Sequence, residues 1–220
     1  MEMLRMDHIT KIYPNGFVAN KDVTFAVNEG EIHSLVGENG AGKTTLMKIL
    51  FGMEDKQGGD IFIREQKVKI TSPLDAISKG VGMVHQHFML LNSLTVAENV
   101  VLGIEPMKNG LFDFEEAVVM TQKIADKYNF ALDARTRVKD LSVGQMQKVE
   151  ILKALIKGAR VLILDEPTAV LTPQETEELF EQLLLLREDG HAIIFISHKL
   201  EEVMRLCSRV TVLRHGYSQG

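Results

Sequence analysis

The densest chemistry in this sequence lies in Gly37-Glu38-Asn39-Gly40-Ala41-Gly42-Lys43-Thr44, which fits the pattern G-x-x-x-x-G-K-[ST]. Glycines let backbone N–H groups turn inward and close on an anion. Lys43 adds a mobile positive charge, and a helix starting there contributes the positive end of its dipole. Thr44 supplies a hydroxyl of the kind that meets Mg²⁺ beside a nucleotide's phosphates. The bland reading is a Gly-rich turn before a helix. The flanks argue against it, because an apolar strand-like run, Glu31 to Val36, leads in and a helix-forming run to Leu50 leads out.

A phosphate loop alone implies only a nucleoside triphosphate, so the reaction has to come from its companions. Val161-Leu162-Ile163-Leu164-Asp165 is an apolar strand ending in a carboxylate, which brings negative charge to Mg²⁺ next to phosphates. Glu166 follows directly and is placed to orient or deprotonate an attacking water. Leu141-Ser142-Val143-Gly144-Gln145 combines a Ser N-cap with a Gly, leaving N–H groups at a helix start that can hold an anion; by itself it is only a capping box. Gln86 offers an amide to the metal or its water, and His198 a ring nitrogen to a γ-phosphate oxygen. Tyr13 can stack on a base, although an aromatic before a turn is by default a core or turn residue. His85 and His87 project to one face of an extended segment with no third ligand nearby, so they are read as structural.

These residues need a scaffold, and the sequence supplies alternating elements. Met6 to Ile12, Val23 to Val27 and Glu31 to Val36 are β-type runs separated by Pro14-Asn15-Gly16 and Asn28-Glu29-Gly30. Asp60 to Arg64 and Lys67 to Ile70 read as a further hairpin of this opening β layer, and Val81 to His85 as a buried strand. Between Gln86 and Gly158 the pattern turns helical, with N-cap arrangements at Thr95-x-x-Glu98, Asp113-x-x-Glu116 and Ser142-x-x-Gln145. Ala117, Met120, Ile124 and Tyr128 recur at helical spacing as a core-facing stripe. Thr172-Pro173-x-Glu175 opens a helix that ends near Gly190, and Ala192 to Ile196 and Val210 to Leu213 are the last strands. Such alternation predicts an α/β fold with a mainly parallel sheet and ligand at the carboxyl ends of its strands.

Composition narrows the class. The 220 residues are 45% hydrophobic and 25% charged, an ordinary globular balance. No apolar run approaches the eighteen or so residues that span a bilayer, so any membrane crossing falls to other chains. No N-terminal leader pattern is present, and Cys207 is the only cysteine, which rules out an internal disulfide; both features point to the cytoplasm. A net charge of −5 without Lys/Arg runs argues against broad nucleic-acid binding.

Taken together and in this order, these stretches resemble the nucleotide-binding domain of ABC transporters, from Met3 to about Gly216. The resemblance implies a P-loop NTPase (RecA-like) α/β fold: a mainly parallel core sheet, an antiparallel β layer, and a helical subdomain over about 87–158 inserted in the ATP-binding core. It makes Tyr13 the adenine-stacking aromatic and Gly37 to Thr45 the Walker A loop, namely Gly37, Glu38, Asn39, Gly40, Ala41, Gly42, Lys43, Thr44 and Thr45. Gln86 becomes the Q-loop, Leu141 to Gln145 the signature, Asp165 the Walker B carboxylate, Glu166 the catalytic base and His198 the switch histidine. The implied cofactors are ATP and Mg²⁺, the latter met by Thr44, Gln86 and Asp165. The family works as a dimer in which each ATP lies between one domain's Walker A and the other's signature, so Ser142, Gly144 and Gln145 would serve the partner's nucleotide.

A closer likeness is to importers of sugars and nucleosides, from His85-Gln86-His87-Phe88-Met89-Leu90, Leu94-Thr95-Val96-Ala97-Glu98-Asn99 and Thr168-Ala169-Val170-Leu171-Thr172-Pro173. In that group two such domains usually share one polypeptide, and this chain resembles the first, ending as a hairpin begins at Arg214-His215-Gly216. The implied role is an ATP-hydrolysing subunit at the cytoplasmic face of the membrane, peripheral, bound to transmembrane permease subunits. A second nucleotide-binding domain and, indirectly, an extracytoplasmic solute-binding protein complete the partners; no nucleic acid is among them. The alternative is a soluble ABC-type ATPase with a mechanical or regulatory role. Its chromosome-type members carry a long coiled coil between Q-loop and signature, and here Gln86 to Leu141 holds only short helices. Two positions depart from the family pattern: Val143 stands where the signature usually has a second Gly, and Thr172 where the D-loop commonly has Asp.

Overall fold

The computed structural model of the protein describes residues 1–85 and 88–219. Its strands are β1 (Glu2–Ile12), β2 (Val18–Asn28), β3 (Ile32–Val36), β4 (Gly58–Ile63), β5 (Gln66–Val68), β6 (Val81–Val84), β7 (Met107–Lys108), β8 (Leu111–Phe112), β9 (Val161–Asp165), β10 (Ala192–Ile196), β11 (Arg209–Arg214) and β12 (Tyr217–Ser218). Its helices are α1 (Lys43–Leu50), α2 (Pro73–Ser78), α3 (Val96–Val101), α4 (Phe114–Lys127), α5 (Val143–Ile156), α6 (Pro173–Glu188) and α7 (Leu200–Leu206).

Strands β3 and β10 are buried along their whole length, as a sheet covered on both faces requires. They lie inside a six-stranded sheet of order β12-β11-β3-β10-β9-β6, parallel except for the terminal β11–β12 hairpin. Successive side chains leave a strand on opposite faces. Ile163, Ile194 and Ile196 accordingly join one core with β1, β2, α1 and α2, whereas Leu162, Leu164, Ile193 and Phe195 join a second core with α5 and α6. The opening strands form a separate antiparallel sheet, β2-β1-β4-β5, covering the first core.

The region from residue 88 to 158 holds α3, α4 and α5, with its own small core of Ala97, Val101, Ala117 and Ala134. Thr95 and Glu98 form a reciprocal capping box at α3, as do Ser142 and Gln145 at α5 and Thr172 and Glu175 at α6; Asp113 caps α4 through the Glu116 N–H alone. The buried stripe of α4 is rotated from the expected one. Ala117, Thr121 and Ala125 are buried with Tyr128 beyond the helix end, and Met120 and Ile124 flank them half-buried, because the neighbouring helices pack closely enough to favour small residues. The second strand of the expected Lys67 to Ile70 hairpin is shorter and earlier, at Gln66–Val68. The region also contains the two-stranded β7–β8 ladder, and α2 and α7 stand where no helix was expected. Among the described residues no helix is long and apolar enough to cross a membrane.

Candidate functional site

Strand β3 delivers the chain into the loop Gly37–Gly42, and α1 begins at Lys43. Two glycines are forced by close approach: a Cβ on Gly37 would lie 2.2 Å from the Leu213 carbonyl oxygen, and one on Gly42 would lie 2.1 Å from that of Ala19. Both also have positive φ, 155° and 103°. The loop is gripped from outside, since the Asn20 amide donates to the Gly42 carbonyl (3.2 Å) and the Gly216 N–H to that of Ala41 (3.1 Å). Lys43 is 7% exposed, and its Nζ donates to the carbonyls of Gly37 (2.7 Å) and Glu38 (3.1 Å). The ammonium is thereby held inside the turn. Gly42, in the left-handed region, is the N-cap of α1, and no side chain caps that end, so the first-turn N–H groups are left to an anion in the loop.

The carboxylates arrive by strand register. Asp165 ends β9 opposite Ile196 of β10, and Glu166 turns out of the sheet with its N–H on the Ile196 carbonyl (3.0 Å) and a φ of 50°. A left-handed conformation is uncommon outside glycine, and it aims the Glu166 side chain back over the strand ends. Its Oε2 lies 2.9 Å from Nδ1 of His198, which follows β10 by two residues. The His198 side chain is 64% exposed and that of Glu166 only 17%. Burial, with the Glu166 charge beside it, raises the Asp165 carboxyl above its ordinary value; His85, Lys43 and Lys48 pull it back in part. These groups and the loop line one cavity of about 510 Å³, bordered by Asn39 to Thr45, Asp165, Glu166 and His198.

At the cavity mouth the structure adds a residue that the sequence reading passed over. Phe17, 51% exposed, lines the cavity, and Tyr13 stands beside it with ring centroids 6.3 Å apart at 26°. The Tyr13 hydroxyl is 3.5 Å from Thr45 Oγ1, and Lys11 Nζ lies 5.0 Å from the Tyr13 ring centroid. Nothing in composition distinguishes Phe17 from a turn residue after Pro14-Asn15-Gly16; its position depends on how β1 and β2 are joined.

Ser142, Gly144 and Gln145 are not brought to this cavity. They form the start of α5, where Ser142 and Gln145 cap each other and Val143 is 41% exposed. That end is already engaged, because Glu175 Oε1, near the start of α6, accepts from the Ser142 hydroxyl (3.1 Å) and the Gly144 N–H (3.2 Å). Gln86 and His87 lie outside the described residues. His85, just before them, packs edge-on to Phe51 at 6.0 Å, and burial lowers its pKa. The segment beyond them is fastened to α5: the Met89 N–H donates to Glu150 Oε1 (2.5 Å), and Lys153 Nζ donates to the Met89 carbonyl (2.8 Å).

Residues 20–169 match the family model described as ABC transporter. The glucose import ATP-binding protein TsgD13 of Haloferax volcanii is 48% identical over 99% of this chain and 44% of its own length. The guanosine import ATP-binding protein NupO of Bacillus subtilis is 50% identical over 97% of this chain and 42% of its own. The chain thus spans less than half the length of the curated relatives it matches. Among solved structures, an ATP-binding cassette of an ABC transporter in its ADP conformation superposes with a TM-score of 0.87 at 26% identity, over 99% of this chain and 89% of that one. A dimeric bacterial ABC transporter cassette gives 0.82 at 26% identity, over 99% and 97%. With the loop, the strand-end carboxylates and the sheet order in agreement, the chain belongs to the ABC transporter family.

Proposed function

We propose that this chain is the ATP-binding and ATP-hydrolysing half of a subunit that drives import of a sugar or nucleoside. The observation that carries the reading is the convergence of Lys43, Asp165, Glu166 and His198 on one cavity walled by the phosphate loop. The loop's N–H groups and Lys43 hold the phosphates, with Lys43 exchanging its two carbonyl partners for phosphate oxygens. Glu166 accepts the proton of the attacking water. His198 donates from Nδ1 to Glu166 and keeps that carboxylate aimed, and as an imidazolium it donates from its other nitrogen to the γ-phosphate. Tyr13 and Phe17 offer ring faces to the base. The Thr44 hydroxyl and the Asp165 carboxylate are the hard oxygen donors Mg²⁺ prefers, and a cation there relieves the buried charge; Gln86 is the further ligand we assign. When bound, Mg²⁺ neutralises charge on the phosphates.

Glucose and guanosine import, named for relatives sharing about half of this chain's residues, support the solute class. The relatives' extra length fits a second nucleotide-binding domain in the same polypeptide, whose phosphate loop would meet Ser142, Gly144 and Gln145. A cavity of about 220 Å³ beside the segment after Gln86, lined by apolar Phe51, Ile77, Met83 and Met89 and by Lys153 and Lys157, is the docking place we assign to the permease subunits. That contact puts the chain at the cytoplasmic face of the membrane, peripheral, with a solute-binding protein acting from the other side. The test is ATPase activity of the full-length subunit reconstituted with its permeases in lipid vesicles, with solute uptake followed in parallel. Mg-ATP-dependent uptake of a sugar or nucleoside, lost in Glu166→Gln, is expected. ATP turnover indifferent to permease and lipid would favour a soluble ATPase instead.

A further inference from the structure

The start of α5 is filled from within the chain, and by a single carboxylate that divides its oxygens between two helices. Glu175 Oε2 accepts from the Thr172 N–H (3.0 Å) and hydroxyl (3.1 Å), closing the capping box of α6. Its Oε1 turns the other way, to the Ser142 hydroxyl (3.1 Å) and the Gly144 N–H (3.2 Å) of α5. These donors hold the Glu175 carboxyl below its ordinary value, the Thr172 N–H foremost. A Cβ on Gly144 would lie 2.6 Å from Oε1, so a side chain there would have to push the carboxylate aside.

The proton count gives this contact a consequence. A serine hydroxyl donates one hydrogen bond. Ser142 Oγ already accepts from the Gln145 N–H (3.2 Å), and its single proton is committed to Glu175. An anion approaching α5 therefore meets a negative charge where it would bind, and can take the Ser142 proton and the Gly144 N–H only by displacing Oε1. Since Oε2 alone serves α6, a pivot of the carboxylate about that oxygen would free the α5 donors and keep the α6 cap.

We propose that Glu175 is a positioning residue that competes, as a tethered anion, with the phosphoryl group of the partner domain's ATP for Ser142 and Gly144, and so raises the ATP concentration at which the two domains close. The proposal rests on the reading that α5 receives that phosphoryl group. It adds a brake to one of the two composite sites, on the same surface where Val143 departs from the family pattern.

The experiment uses the full-length subunit assembled with its permeases, with Glu166→Gln present throughout to stop turnover, and follows domain closure against ATP concentration by a fluorescence pair across the two halves. Glu175→Gln keeps a side chain that can close the α6 capping box and removes the charge facing α5. It should lower the ATP concentration for half-closure by about tenfold, since hydrogen bonds to an ionised acceptor are roughly twice as strong as neutral ones. On a Ser142→Ala background that gain should disappear. Should the amide variant fail to fold, Glu175→Asp withdraws the charge from α5 by one methylene and is expected to shift closure in the same direction. An unchanged or higher ATP requirement, with Ser142→Ala still weakening closure, overturns the brake and leaves Glu175 as a brace between helices. If Ser142→Ala has no effect on closure, the assignment of α5 as phosphoryl acceptor fails, and the competition with it.

Discussion

Two helix starts in this molecule are ones we assign to anions, and they are finished in opposite ways. At α1 no side chain caps the first turn; the N-cap is a left-handed glycine, and the buried Lys43 turns its ammonium into the loop. At α5 side chains fill the end: Ser142 and Gln145 cap each other, and Glu175 crosses from α6 to take what remains. The first end has positive charge and open N–H groups beside a half-buried carboxylate, whereas at the second the Ser142 hydroxyl and the Gly144 and Gln145 N–H groups already have partners. An anion site completed within one domain can leave its donors open, because its lysine already stands in the loop when the phosphates arrive. A site completed only when another domain docks must cap itself in the meantime, or leave orphan N–H groups at a helix end.

The sharpest break between the two ends is chemical. Glu166→Gln should lower turnover by about 10²–10⁴-fold, the usual range for a lost general base, while nucleotide binding persists. A parallel loss of binding in a nucleotide titration would move Glu166 out of the base role. Next in size, Lys43→Ala should weaken ATP binding by about 10–100-fold, from the loss of a charged hydrogen-bond donor worth ~1.5–3 kcal/mol. Calorimetry showing unchanged affinity would refute the loop's assignment.

The comparison also predicts unequal sites in the full assembly we propose. Disabling the phosphate loop in one half at a time, with single-turnover hydrolysis as readout, should remove nearly all turnover when this half is disabled and only part when the other is. Equal losses would mean symmetric cooperative sites, with Val143 and Thr172 as tolerated variation. Smaller still, Tyr13→Ala and Phe17→Ala should each weaken ATP by about 1 kcal/mol, the low end for a base stacked on an aromatic. If only Phe17→Ala does so, Tyr13 is a support behind the true stacking face.

The smallest effect concerns stability and has opposite sign at the two ends. Because folding raises the Asp165 carboxyl above its ordinary value, the folded state disfavours the charged form, and stability falls as pH rises from below 3.8 through the raised value. Asp165→Asn should therefore raise the thermal midpoint at neutral pH, by about 2–4 °C, and lose that advantage below pH 3.8. Ser142→Ala should do the reverse at neutral pH, lowering stability by about 1 kcal/mol through the lost cap. Differential scanning calorimetry of both variants checks the pair.

What the sequence made legible divides along the same line as the two ends. The loop, the strand-end pair Asp165-Glu166 and the three capping boxes are local patterns, in which the interacting groups lie within a few residues, and the structure has them as expected. The second role of Glu175 was hidden because its partners lie 31 and 33 residues away, and its local role as a cap already accounted for it. Phe17 was hidden for a similar reason: a sheet connection, not a motif, puts it at the cavity. The helices α2 and α7, six and seven residues long, are too short for periodicity to register, and packing rather than propensity holds them. In α4 the spacing was right but the face was turned, since Thr121 is buried where a polar residue predicts exposure.

The grip on the phosphate loop also sets a schedule. The groups that shape it are the carbonyl of Ala19, the amide of Asn20, the carbonyl of Leu213 and the N–H of Gly216, and its strand β3 lies between β10 and β11. On the ribosome, residues 37–42 leave the exit tunnel long before β10 and β11 exist. At about 5–20 residues per second the wait is on the order of ten to thirty seconds. During that interval the glycine-rich segment is an unsupported loop next to an unpaired strand that the finished fold buries along its whole length, and it acquires nucleotide affinity only when the last strands dock. ATP therefore cannot template the early folding of this chain. It can only reward its completion.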